Sequence, residues 1–165
     1  MEFTLSQHQG TDTLKCRIES QVDALKLTYL VPDYADLVWP GYSGMVRRDE
    51  LWLSTCFELF LGADGQSGYT ELNVTPAGAW NCYQFDDYRS GMRPSQAWEL
   101  QQLKAGAGFL SATFRGRLSP SKIRFGPAAI LQQMSSRLDY FAISHDEQPD
   151  FHDPARHVLV SANDL

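Results

Sequence analysis

The sequence predicts an all-β protein, an antiparallel β-sandwich of the jelly-roll or immunoglobulin-like kind with about 8–11 strands. Three observations carry that expectation. Apolar and polar residues alternate at period 2 through several short runs, clusters of Gly, Pro and Asp punctuate those runs, and no segment sustains a 3.6-residue apolar period. At 165 residues the chain reads as one domain, residues 1–165, long enough for a core that needs no staples.

The elements follow in order. Residues 12–20, DTLKCRIES, turn Leu14, Cys16 and Ile18 inward and Lys15, Arg17 and Glu19 outward. Residues 24–31, ALKLTYLV, do the same with Leu25, Leu27 and Tyr29, so both runs are half-solvated antiparallel strands. A long connection, Pro32 to Glu50, holds Tyr34, Trp39 and Tyr42. Its aromatics argue against disorder, and they either pack over one end of the sandwich or plug a gap in the core.

Three consecutive strands organise the centre of the chain: Thr55 to Leu61 (TCFELFL), Tyr69 to Thr75 (YTELNVT) and Trp80 to Phe85 (WNCYQF). They are separated by GADGQSG and PAGA, the punctuation of a meander. In the second, Tyr69, Glu71, Asn73 and Thr75 share one face and Leu72 and Val74 the other, so one face is core and the other a polar platform. In the first, Glu58 alone interrupts an apolar run. A carboxylate buried alone is costly, so Glu58 either pairs with Arg89 or Arg47 as a structural bridge or opens onto a wet cleft. Trp52 precedes it by six residues, and Trp80 and Tyr83 follow on the third strand.

Beyond the meander, QAWELQQLKAGAGFLSATFRGRLS reads as two strands around an AGAG turn, with Trp98, Leu100 and Gln102 on one face of the first. Gln, Glu and Leu also permit a short helix from Ser95 to Lys104. Pro120 and Pro127 bound KIRF, and AAILQQ leads into LDYFAISH, where Tyr140 and Ala142 face opposite Phe141 and Ile143. HVLVSAN closes the chain as a final strand.

A net charge of −6 with 14 scattered Lys and Arg argues against nucleic acid, which needs clustered cations. The first 90 residues carry 13 acids against 6 bases, so the half that holds the meander suits a neutral or cationic ligand better than a phosphorylated one. Three cysteines, Cys16, Cys56 and Cys82, lie inside strands and read as free buried thiols. With no basic and apolar leader and no window approaching 18 apolar residues, the expected location is the cytoplasm, with no membrane contact.

No GxSxG, HExxH, P-loop or dinucleotide fingerprint occurs. His145, Asp146, Asp150, His152, Asp153 and His157 fall within a dozen residues or so, but their intervals match no standard metal-ligand spacing. They read as a polar loop whose histidines bond the backbone and pin QPDFHDP to the sheet. Cys56, with no basic partner nearby, reads as an inert packing thiol. No metal and no cofactor is expected. Carboxylates, an amide and flat aromatics together are the groups that bind sugars, as hydroxyl partners and as π-faces for the apolar side of a pyranose.

The segments LWLSTCFELFLG, GYTELNVTPAGAWNCYQFDDYRSGM and YFAISHDEQPDFH resemble the DOMON-like group related to family 9 carbohydrate-binding modules. That pattern has a Trp shortly before an acidic strand, a second strand of the form Y-x-E-x-N-x-x-P-x-G and a late aromatic strand. The resemblance runs from Trp52 to His152 and is densest over residues 51–92. It implies a β-sandwich with a cleft on one sheet that binds a small carbohydrate without catalysis. By position, Trp52 would stack on the sugar and Glu58 accept a hydroxyl, with Glu71, Asn73 and Arg89 beside them and Trp80 or Tyr140 on the rim. The sugar-binding members clamp their ligand between two tryptophans. The last Trp here is Trp98, and Tyr140 or Phe141 takes the late position. Other DOMON relatives bind haem through Met and His, for which Met45, Met92, His145 and His152 supply the residue types. A haem-binding electron-transfer domain and a protein-interaction module with no small ligand are therefore the alternatives.

Overall fold

In a computed structural model that describes residues 1–32, 36–118 and 122–161, alternation becomes strand almost wherever the sequence shows it. The strands are β1 (Glu2–Gln7), β2 (Thr13–Gln21), β3 (Ala24–Leu30), β4 (Val46–Arg47), β5 (Cys56–Ala63), β6 (Tyr69–Val74) and β7 (Ala79–Phe85). They continue as β8 (Arg93–Pro94), β9 (Glu99–Gly106), β10 (Phe109–Arg115), β11 (Lys122–Gln132), β12 (Leu138–Ala142) and β13 (Val158–Ser161). Single 3-10 turns, Leu51–Leu53 and Pro154–Arg156, are the helical pieces among the described residues.

The protein is all-β, but its strands form one continuous, strongly curled sheet instead of two separate ones. The order is β4-β7-β6-β5-β11-β12-β1-β2-β3-β10-β9, with β13 also on β11 and β8 also on β7. Neighbours are antiparallel except for β4, which runs parallel to β7. The curl brings the β2-β3-β10 arm across from the β5-β6-β7 arm. Tyr29 of β3 packs on Phe57 of β5 with ring centroids 4.8 Å apart, and Trp80 of β7 meets Phe114 of β10 at 6.1 Å. The Tyr29 hydroxyl donates to the Glu58 carbonyl at 2.6 Å. Between the arms lies the main core, in which Leu14, Cys16, Ile18, Leu25, Leu27, Phe57, Leu72, Val74 and Phe141 are buried.

The thirteen strands among the described residues exceed the expected number. The surplus comes from β1, a strand the sequence reading did not assign, and from the two-residue β4 and β8. The helix permitted over Ser95–Lys104 is absent, because β9 pairs with β10 along its whole length. A bulge shifts that register between Thr113 and Phe114, so Trp98 and Leu100 face the core while Gln102 turns to solvent and Leu103 takes the inward position. Pro127 does not end a strand either. β11 runs through it, and Gly126 and Pro127 are the residues that lack a partner on the edge shared by β13 and β12, where a missing N–H costs no ladder bond. In the long connection Trp39 packs edge-on against Phe57 in the core at 5.7 Å, whereas Tyr42 is exposed. Tyr34, Pro120 and the last residues of HVLVSAN lie outside the described residues.

Candidate functional site

The opposite face of the β5-β6-β7-β11 arm carries a second, smaller cluster of Phe60, Tyr69, Tyr83, Phe85 and Ala128, against which Trp52 and Phe151 pack. β6 divides its side chains between the two clusters as alternation requires: Leu72 and Val74 enter the main core, and Tyr69 and Glu71 turn to the smaller one. This face is not the open polar platform that the sequence suggested. Glu71 is 3% exposed and Asn73 0%, because two segments fold over them.

The first cover is the turn Leu51–Leu53, entered through Glu50 in the left-handed region at φ 59°. Its approach is anchored on β7. The Tyr83 hydroxyl donates to Asp49 Oδ1 at 2.7 Å, and Asn81 Nδ2 donates to the same oxygen at 2.9 Å. Trp52 thus stands half-buried, edge-on to Tyr83 at 6.1 Å. The second cover is the loop after β12. Two of its histidines bind backbone as expected, His145 Nε2 to the Ser6 carbonyl at 2.7 Å and His157 Nε2 to the Phe151 carbonyl at 2.9 Å, whereas the His152 ring meets a side chain, the Tyr69 hydroxyl. Among the described residues no group of His, Cys, Asp and Glu is arranged to hold a metal ion.

Between these covers and the sheet lies a cavity of about 340 Å³, lined by Trp52, Glu58, Glu71, Phe85, Arg89, Met92, Ile130, Tyr140, Pro149, Phe151 and His152. Such a volume falls at the small end of ligand pockets. Of the residues singled out in the sequence, Trp52, Glu58, Glu71, Arg89 and Tyr140 meet there. Asn73 sits behind the wall and donates to Glu71 Oε1 at 2.7 Å. Trp80 is elsewhere: one residue out of phase with Tyr83, it points into the main core, with the Arg47 guanidinium 4.3 Å above its ring.

The electrostatics follow from burial. Glu58 is 3% exposed, and among the described residues its Oε1 has no hydrogen-bond partner. Among the described residues it makes no ion pair: Arg47 is spent on the carbonyls of Ser95 and Trp98, at 2.9 and 3.1 Å, and Arg89 pairs with Asp150 at 2.8 Å. Burial, and then the charge of Glu71, hold the Glu58 carboxyl well above the usual carboxylate range. Burial also lifts Glu71, to about 7, against the opposing pull of the Asn73 amide and Arg89. Boxed by Phe60 at 4.9 Å and Phe85 at 5.2 Å, the His152 ring is pushed down to about 4, first by burial and then by Arg89. Asp150 stays below its ordinary value: burial opposes this, but hydrogen bonds from Tyr88 and Arg89 prevail. Arg89 itself holds a left-handed backbone at φ 49°, kept there by its N–H to the Tyr69 hydroxyl at 3.2 Å and by the Asp150 pair.

The sequence reading missed Phe85, Met92, Ile130, Pro149, Phe151 and His152 as lining residues. Phe85 was within reach, since alternation from Tyr83 places it on the same face. Pro149, Phe151 and His152 depend on how a loop folds back, which no periodicity records.

The chain matches no protein-family model and no curated protein. Among solved structures, the crystal structure of a "putative carbohydrate-binding protein" from Bacteroides uniformis ATCC 8492 is similar to it, with a TM-score of 0.70 and 15% sequence identity over 98% of this chain and 85% of that one. At that identity the likeness is one of fold.

Proposed function

We propose that the cavity binds a small carbohydrate or polyol, and that the protein is a non-catalytic binding module of the DOMON-like kind related to family 9 carbohydrate-binding modules, its curled sheet a variant of their sandwich. The observation that carries this reading is the company of Glu58 and Glu71: two carboxyls on the cavity wall with Trp52, Tyr140 and Phe151 around the same space. Carboxyl groups exchange hydrogen bonds with hydroxyls, and aromatic faces take the C–H side of a ring. The fold shared with the Bacteroides uniformis protein, itself described as a possible sugar binder, supports the reading. Three free buried thiols fit a reducing compartment, and we place the protein in the cytoplasm.

The test is a calorimetric and thermal-shift screen over mono- and disaccharides, with Trp52→Ala as the control. A ligand at a hundredfold excess over Kd should add about 2.7 kcal/mol of stability. Trp52→Ala should abolish the response while leaving the fold intact, since Trp52 is only half-buried. A screen without a hit leaves the protein-interaction reading in its place.

The haem reading has one observation in its favour: Met92 and His152 line the same cavity. Against it, the His152 ring is already engaged, Nδ1 with the Tyr69 hydroxyl at 2.7 Å and Nε2 toward Glu71 at 4.0 Å, so an axial bond would have to break one of these. An absorbance scan of protein supplied with haem decides it, a Soret band overturning the sugar reading.

A further inference from the structure

We infer that the ligand of this cavity carries a protonated amine, and that the carboxyl of Glu58 receives it. The inference rests on the carbohydrate reading and narrows it to an amino sugar or amino polyol.

Three features converge. First, Glu58 Oε1 is buried, has no hydrogen-bond partner among the described residues and belongs to a side chain on the cavity wall. A buried polar atom without a partner is an unmet demand, and a carboxylate oxygen demands a donor. Second, among the described residues no cation pairs with it. Arg89, at the same cavity, is committed to Asp150, Arg47 belongs to the opposite face of the sheet, and His152 is held neutral by its surroundings. Third, Trp52 and Phe151 flank the space, and the π-face of an aromatic ring attracts a cation as well as the apolar side of a sugar.

A neutral sugar could donate hydroxyls to Glu58 Oε1 but would bring no charge to offset the two neighbouring acids. An ammonium group brings three N–H donors and a positive charge, enough to engage Glu58 Oε1 and to relieve the repulsion between Glu58 and Glu71. Its entry displaces a proton from the carboxyls to solvent. The other ionisable groups around Glu58 (Cys56, Tyr29, Glu71, Arg89 and, beyond it, Asp150 and His152) leave this exchange as the available charge balance.

The experiment compares glucosamine, glucose and N-acetylglucosamine, with ethanolamine as an amine that is no sugar, by calorimetry in two buffers of different ionisation enthalpy and by NMR of the Trp52 indole N–H. Glucosamine should bind at least tenfold more tightly than the other two sugars and release a proton, and Glu58→Gln should bring it down to their level. Glu71→Gln should keep part of the preference. Equal binding of glucosamine and glucose overturns the amine and leaves the carbohydrate reading standing. Binding of ethanolamine alone keeps the ammonium site and overturns the sugar. Silence of all four in the Trp52 signal overturns both.

Discussion

The Tyr69 hydroxyl lies 2.7 Å from His152 Nδ1 and accepts the Arg89 N–H at 3.2 Å, and this pair of bonds bears on the tautomer of the cavity's histidine. With the Arg89 N–H already on the oxygen, donation of the hydroxyl proton to Nδ1 leaves the ring hydrogen on Nε2, the atom 4.0 Å from Glu71 Oε2, and this is the tautomer we assign. Tyr69→Phe keeps the stacking on Phe85 at 4.6 Å and removes only the hydroxyl. It should cost about 1–3 kcal/mol in urea titration, the range for leaving buried polar groups unpaired. Nitrogen NMR of His152 should show the tautomers mixing, and an unchanged spectrum would refute the assignment.

Glu71 and His152 give stability two opposing dependences on pH. Glu71 rises from 4.5 to about 7 on folding, so the native state keeps its proton longer and stability falls as pH climbs through that window, by roughly 3 kcal/mol at most. His152 drops from 6.5 to about 4, so the unfolded chain takes up the proton first and stability is lost as pH falls through that window. Between 4.5 and 6.5 these two slopes cancel. Glu71→Gln should therefore show a Tm that rises with pH from 4.5 to 6.5 relative to the parent, and His152→Gln one that falls. Parallel Tm profiles for parent and variants would exclude both linkages.

What the sequence made legible was period, and what it hid was closure. Leu14, Cys16, Ile18, Leu25, Leu27 and Tyr29 are buried as alternation requires, and the split of β6 into a Leu72–Val74 face and a Glu71–Asn73 face follows from the same rule. The pairing of β5 with β6 then set Glu58 directly across from Asn73, which brought the carboxyls together. Trp80 was misplaced through proximity in sequence, although its own alternation with Tyr83 sends it to the core. The curl of the sheet, the bulge at Gln101 and the fold-back of Phe151 and His152 arise from long-range packing, which local pattern does not encode.

The thiols give a direct check on the core. Cys16, Cys56 and Cys82 are all free and all 0% exposed, and burial pushes the Cys16 thiol up to about 12. A thiol that is neither ionised nor accessible is inert. Native protein should show no reaction with a chromogenic disulfide reagent over minutes, and denatured protein three equivalents. Fast labelling of one native thiol would mean that a strand opens locally.

Glu58→Gln separates binding from scaffolding through stability alone. A structural bridge would lose stability when its charge is removed, because the partner cation would be left buried and unpaired. Here, among the described residues, no cation is paired with Glu58 and Asn73 Oδ1 across the strand pair lacks a donor, and burial and Glu71 hold the Glu58 carboxyl well above the usual range. A Gln amide has the shape of the protonated acid and an N–H to offer that oxygen, since directly opposed side chains in an antiparallel pair lie within reach of each other. The variant should melt no lower than the parent at mildly acidic pH, and its advantage should grow as pH rises, because only the parent must then ionise a buried carboxyl. A lower melting temperature across the whole range would return Glu58 to a structural role and remove the ground for placing a ligand against it.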